Sequence, residues 1–148
     1  MGKDGTYPLA GLIMDTSGSL YGTTAEGGAH GFGMVFELSP KSGGGMTEKI
    51  LHSFNFNGID GTYPYATLIF DASGNLYGTT SSGGAGTCGT NGCGTVFELL
   101  PQSGGAWTER ILTASRTTAS TASAHWLAWC STRLAISMAR PRAAAPSN

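Results

Sequence analysis

Apolar residues run along this chain in short blocks, each ended by a glycine-rich or polar turn. The first block is Leu9-Ala10-Gly11-Leu12-Ile13-Met14, stopped by Asp15-Thr16-Ser17-Gly18. Leu20-Tyr21-Gly22-Thr23-Thr24 follows, so the two blocks read as a hairpin. An Asp that opens such a turn can accept hydrogen bonds from its own backbone, and Gly takes the positive φ of the reversal. Past the loop Glu26-Gly27-Gly28-Ala29-His30-Gly31, a third strand is expected over 33–38 and a fourth over 47–54. Ser42-Gly43-Gly44-Gly45 turns between them. In the fourth strand the apolar positions are Ile50, Leu51 and Phe54, so its alternation is imperfect.

The whole pattern then returns. Asp15-Thr16-Ser17-Gly18-Ser19-Leu20-Tyr21-Gly22-Thr23-Thr24 recurs 56 positions on as Asp71-Ala72-Ser73-Gly74-Asn75-Leu76-Tyr77-Gly78-Thr79-Thr80. Asp4-Gly5-Thr6-Tyr7-Pro8 recurs as Asp60-Gly61-Thr62-Tyr63-Pro64. Expected strands in the second copy are 65–70, 76–80, 94–100 and 107–112. Gly28 and Gly84 are 56 apart but Gly33 and Gly94 are 61 apart, so the second copy carries five extra residues, Cys88 and Cys93 lying in that loop. Repetition at a fixed period marks a repeat architecture. The predicted fold is therefore all-β: two four-stranded antiparallel repeat units, 4–59 and 60–112, resembling β-propeller blades. A kelch-type blade has about fifty residues, and a blade buries its sheet only by stacking on neighbours. A β-solenoid is the second architecture, although its units are usually shorter. A propeller closes with about four to eight blades, so two units suggest part of a longer array.

Composition divides the chain near Leu112. All 24 glycines and all nine acidic residues precede it, with four basic residues, giving −5 over 1–112. Residues 113–148 hold four arginines and ten alanines, giving +4. The net −1 offers no electrostatic case for nucleic acid or an anionic membrane. No apolar run is long enough for a membrane span, and the start of the chain has no apolar signal-peptide segment.

The break at Leu112 has a genetic reading. Back-translated one base out of frame, His125/Trp126 can give only Leu, Trp129/Cys130 only Val and Met138/Ala139 only Gly. The junctions from Ala124 to Pro141 permit Pro-Leu-Ala-Gly-Leu-Val-Phe-Asp-Ala-Ser-Gly-Asn-Leu-Tyr-Gly-Thr-Thr, which is the repeat again. Residues 113–148 are thus expected to be an out-of-frame tail, unstructured or locally helical and without a defined place in the fold. A natural low-complexity linker is the alternative.

The Asp-Gly-x-Tyr-Pro, Gly-Asn-Leu-Tyr-Gly-Thr-Thr-x-x-Gly-Gly and Gly-Thr-Val-Phe-Glu-Leu segments resemble the GloVer-type repeat of choice-of-anchor tandem repeat proteins. The resemblance covers 4–112. It implies a large exported or surface bacterial protein, an extracellular location and a propeller-like fold, and it implies no reaction.

Candidate chemistry is sparse. Cys88-x4-Cys93 reads as a disulfide across the inserted loop, with free thiols or half a metal site as alternatives; structural zinc needs four ligands. Asp71-x-Ser73-x-Asn75, and more weakly Asp15-x-Ser17-x-Ser19, carry oxygens at calcium-loop spacing, but a hairpin turn explains the same residues. Asp15, Gly18, Tyr21 and Gly22, with Asp71, Gly74, Tyr77 and Gly78, are read as structural positions of the motif. His30 and His52 have no matched partner and read as surface or strand residues. Glu37/Glu98 and Glu48/Glu109 could serve glycoside chemistry as carboxylate pairs, yet residues that recur in every unit ordinarily hold the unit together. Phe36 and Phe97 read as packing residues. Tyr7, Tyr63 and Trp107 could stack on sugars. No catalytic residue, cofactor or metal is expected, and no phosphate-loop, nucleophile-elbow or metalloprotease motif is present. The functional expectation is a non-catalytic scaffold or adhesion module, with polysaccharide or another surface ligand as partner. A carbohydrate-active propeller enzyme and a pseudogene-like fragment are the alternatives.

Overall fold

A computed structural model describes residues 4–86 and 89–114. Among them are twelve strands: β1 Gly5–Thr6, β2 Ile13–Met14, β3 Leu20–Thr24, β4 Glu26–Gly27, β5 Met34–Pro40, β6 Met46–Ser53, β7 Gly61–Thr62, β8 Ile69–Phe70, β9 Leu76–Thr79, β10 Ser82–Gly83, β11 Thr95–Pro101 and β12 Trp107–Ala114. The only helical pieces among the described residues are two three-residue 3-10 turns, Gly89–Asn91 and Ser103–Gly105. The fold is all-β, as the block pattern predicts. Among the described residues no helix is long and apolar enough to cross a membrane.

Each repeat makes one four-stranded antiparallel sheet, in the order β2-β3-β5-β6 and then β8-β9-β11-β12. Two small sheets, β1 with β4 and β7 with β10, lie beside them. These pairs were not expected from the sequence. They tie each Asp-Gly-Thr-Tyr-Pro segment to the glycine loop that follows, in register Gly5↔Gly27 and Gly61↔Gly83. Gly83 has φ 78°, and a Cβ there would lie 2.5 Å from the Asp60 carbonyl oxygen, so only glycine allows this approach.

The first strand of each repeat is shorter than its apolar block. In the first repeat the reason is visible in the hydrogen bonds. Leu9 N–H turns back to the Tyr7 carbonyl, and Gly11 N–H donates to Thr67 Oγ1 of the other repeat at 3.1 Å. Tyr7 and Tyr63, each before a proline, sit at φ 57° in the left-handed region, which bends the chain ahead of both blocks.

The last strand has its expected eight residues in the first repeat and two more than expected in the second, and its broken alternation has a cause. Phe36 pairs with Ile50 but Val35 pairs with His52, so Leu51 is the extra residue of a β-bulge. The same shift occurs between Val96 and Phe97. Ile50 and Leu51 can therefore both be apolar on one strand. Thr113 and Ala114 continue β12 opposite Val96 and Thr95. The expectation that the chain leaves the fold after Leu112 is corrected for those two residues: strand pairing needs only backbone groups there. Residues 115–148 lie outside the described residues.

Both repeats fall within one compact unit and share one core. Tyr21, Val35, Leu51 and Phe54 enter from the first repeat, and Leu68, Leu76, Phe97 and Leu99 from the second. Ile13, Phe32, Phe70, Trp107 and Ile111 pack at its rim. Phe54 and Phe97 meet edge to face at 5.1 Å and are fully buried. Burying one such ring contributes about 1.5–3 kcal/mol.

On one face equivalent positions are more exposed in the first repeat, and on the other the order reverses, Leu51 being 8% exposed and Leu112 43%. Leu68 is 1% exposed, but its counterpart Leu12 is 50% exposed. Met14, Met46 and Ile50 are likewise exposed where Phe70, Trp107 and Ile111 pack against the core. The second repeat covers this face with the first; the first repeat leaves it open.

Candidate functional site

Two polar constellations are built into the repeats. The first is local and occurs twice. Asp15 Oδ1 accepts the N–H groups of Ser17 (2.8 Å) and Ser19 (2.9 Å) and the Ser17 hydroxyl (2.7 Å). Its Oδ2 accepts the Tyr21 hydroxyl at 3.1 Å. Asp71 repeats this with Ser73 N–H, Asn75 N–H, Asn75 Nδ2 and the Tyr77 hydroxyl. Gly18 and Gly74 take φ of 85° and 82° in these turns. Slight burial works against the Asp15 and Asp71 carboxylates, but the hydrogen bonds outweigh it and hold both below the usual range. Turn donors already occupy these carboxylates, which favours the hairpin turn over the calcium loop.

Tyr77 also lies 2.7 Å from Glu98, so two carboxylates face one phenol proton. Burial first, then Glu98 and Asp71, push its ionisation well above the ordinary range. Tyr21 is raised too, by burial, the Glu37 charge and Asp15. Arg110 forms an ion pair over the buried Glu98. The equivalent Lys49 instead reaches across to the Gly105 carbonyl of the second repeat.

The second constellation spans the two repeats, and it corrects the reading of His52 as partnerless. His52 on β6, Asp60 before β7 and Glu109 on β12 converge, with one ligand-type atom of each within 4.8 Å of the others. His52 Nε2 is 3.2 Å from Asp60 Oδ2 and 3.5 Å from Glu109 Oε1. The His52 ring stands edge-on to Phe54 at 4.7 Å. The Asn55–Asp60 turn aims the acid: Asn57 Oδ1 accepts the N–H groups of Ile59 and Asp60, and Asn55 N–H donates to Asp60 Oδ2 at 2.8 Å. Asp60 is 6% exposed. Its Oδ1, and Glu109 Oε1, are buried without a hydrogen-bond donor.

Burial alone would lower the His52 pKa, but the hydrogen bond to Asp60 and the Glu109 charge outweigh it and raise it. Burial pushes the Glu109 carboxyl up to about 7, with His52 opposing and the Asp60 charge reinforcing. Sequence reasoning missed this trio because its members come from two repeats and 57 residues of chain. The usable signal was that Asp60 and Glu109 recur as Asp4 and Glu48, while His52 has Thr113 at its own register in the second repeat.

The remaining candidates separate. Cys93 is buried and disulfide-bonded; Cys88, its expected partner, lies outside the described residues. Glu37 accepts the Ser39 hydroxyl at 2.7 Å, and Glu48 is exposed. His30 is exposed. Gly22 and Gly78 lie beneath the Phe36 and Phe97 rings. Of the sugar-stacking candidates, Tyr7 is exposed, Tyr63 packs on Phe32, and Trp107 packs against Tyr21 across the junction.

No curated protein and no solved structure matches the chain. A family model described as the Gloeobacter/Verrucomicrobia repeat matches residues 1–126, running past the last described strand. With both copies of the motif inside that match, folded alike and sharing a core, the chain belongs to the Gloeobacter/Verrucomicrobia repeat family.

Proposed function

We propose that the chain is a non-catalytic, propeller-like repeat scaffold that serves as a binding or adhesion module of an exported protein. The observation that carries this is the duplicated Asp–Tyr–Glu arrangement. The carboxylates that recur with the motif, Asp15, Asp71 and Glu98, are engaged by turn amides, tyrosine hydroxyls and an arginine, which is structural employment. The disulfide at Cys93 supports an oxidising, extracellular compartment. The open face with Leu12, Met14, Met46 and Ile50 supports stacking, because the second repeat buries the same positions against a like unit. Exposed Tyr7 and Tyr65 supply aromatic surface for a polysaccharide.

A polysaccharide array probed with the purified chain, run beside a reducing-sugar release assay, tests this reading. Retention on a glycan that weakens in Tyr7→Ala or Tyr65→Ala, without sugar release, is the expected result. Turnover abolished by Glu98→Gln or Glu109→Gln in a chain that still folds would replace the scaffold with an enzyme.

A further inference from the structure

We propose that the junction between the repeats is a divalent-metal site, with His52 Nε2, Asp60 and Glu109 as ligands to one zinc ion. The three come from both repeats, so the ion would bind only to the stacked pair. The two distances from His52 already suit it, and the three ligand atoms lie within 4.8 Å of one another. Ligand atoms about 2.0–2.2 Å from a tetrahedral zinc lie a little over 3 Å apart, and Nε2 stands 3.2 and 3.5 Å from the two carboxylate oxygens.

A protonated histidine is the competing way to satisfy the trio, and it falls short by counting. One Nε2–H faces two acidic side chains and is directed at Asp60 Oδ2. Asp60 Oδ1 and Glu109 Oε1 then stay buried without a donor unless Glu109 itself carries a proton towards Asp60, a proton that a bound cation would displace. Two carboxylates held together away from water repel one another, and an unmatched buried acceptor costs about 1–3 kcal/mol. A divalent cation is shared by all three side chains at once, and its charge balances the two carboxylates. A nitrogen with two carboxylate oxygens suits zinc among the first-row ions, with water completing the shell. Asn55 N–H on Asp60 Oδ2 and the Phe54 ring against His52 supply the outer support that fixes ligand orientation.

Repetition extends the idea. Asp4 and Glu48 are the counterparts of Asp60 and Glu109, both exposed on the open side of the first repeat. By repetition they would supply two of the three ligands of a like site, with the histidine coming from another unit. Metal binding would then follow stacking only where the preceding unit carries a histidine at the His52 register, which the second repeat, with Thr113 there, does not.

The test is a titration of the metal-stripped full chain with zinc chloride, read by calorimetry and by native mass spectrometry near pH 7. One zinc per chain is expected, with a rise in melting temperature. His52→Ala and Glu109→Gln should each weaken binding at least tenfold and remove the thermal shift. Asp60→Asn takes the place of His52→Ala if the latter does not fold. His30→Ala, Glu48→Gln, His125→Ala and Cys130→Ser should leave the zinc bound. No zinc uptake by the wild-type chain overturns the proposal. So does zinc that survives both His52→Ala and Glu109→Gln, or that is lost with His125 or Cys130.

Discussion

At the scale of single residues, the chain spends its few charges on hydrogen bonds that fix turns and the junction. Tyr77 is the clearest case, lying between Asp71 and a Glu98 that is 2% exposed. Tyr77→Phe removes the hydroxyl and leaves carboxylate lone pairs unmet, so urea unfolding should show a loss of about 1–3 kcal/mol. Stability should also depend on pH from both sides. Asp15 and Asp71 ionise more readily folded than unfolded, so their contribution is present above about 3.8 and lost as the solution is acidified through their lowered values. His52 and Glu109 act oppositely. Their folded pKa values are raised, so the fold holds protons that the unfolded chain releases, and that contribution fades as pH climbs from the unfolded carboxyl value of 4.5 through about 7 and past the raised histidine. Thermal melts in chelator should therefore fall between pH 5 and pH 8, and Glu109→Gln should flatten that fall. A melting temperature that rises across this range would refute the assignment of the junction protons.

At the scale of elements, much was legible and the failures have local causes. Leu20–Thr24 is a strand as its block suggests, and the Asp-x-Ser-Gly turns close as their residue types require. Block 9–14 yields only Ile13–Met14 as strand, because Gly11 gives its N–H to Thr67 of the other repeat, which no local pattern reports. Repetition marks Asp60 and Glu109, but their meeting with His52 escapes any local pattern for the same reason: it exists only once two sheets stack. Stacking also makes equivalent glycines unequal. A Cβ at Gly78 would run into the Phe97 ring and lie 2.9 Å from Leu68, both fully buried. At Gly22 the neighbours are Phe36 at 2.8 Å and Leu12 at 2.6 Å, and Leu12, half exposed, is free to swing aside. Gly78→Ala should cost about 1–3 kcal/mol, and Gly22→Ala clearly less, in parallel denaturant titrations. Equal costs would mean that the two faces are packed alike.

At the scale of the whole molecule, the two repeats are held by a shared core. The open face of the first repeat should associate with a like unit. Sedimentation at rising concentration should show self-association, reduced by Leu12→Glu or Met14→Glu and unchanged by Glu26→Gln on another strand. Contacts such as Phe54 on Phe97 should make the two repeats one cooperative body. Hydrogen exchange of the chain with Phe54→Leu, followed by mass spectrometry, tests it most directly. Cooperative repeats should exchange faster in β11 and β12 of the second repeat by the same factor as in β5 and β6 of the first. Acceleration confined to the first repeat would mean that the two repeats unfold independently.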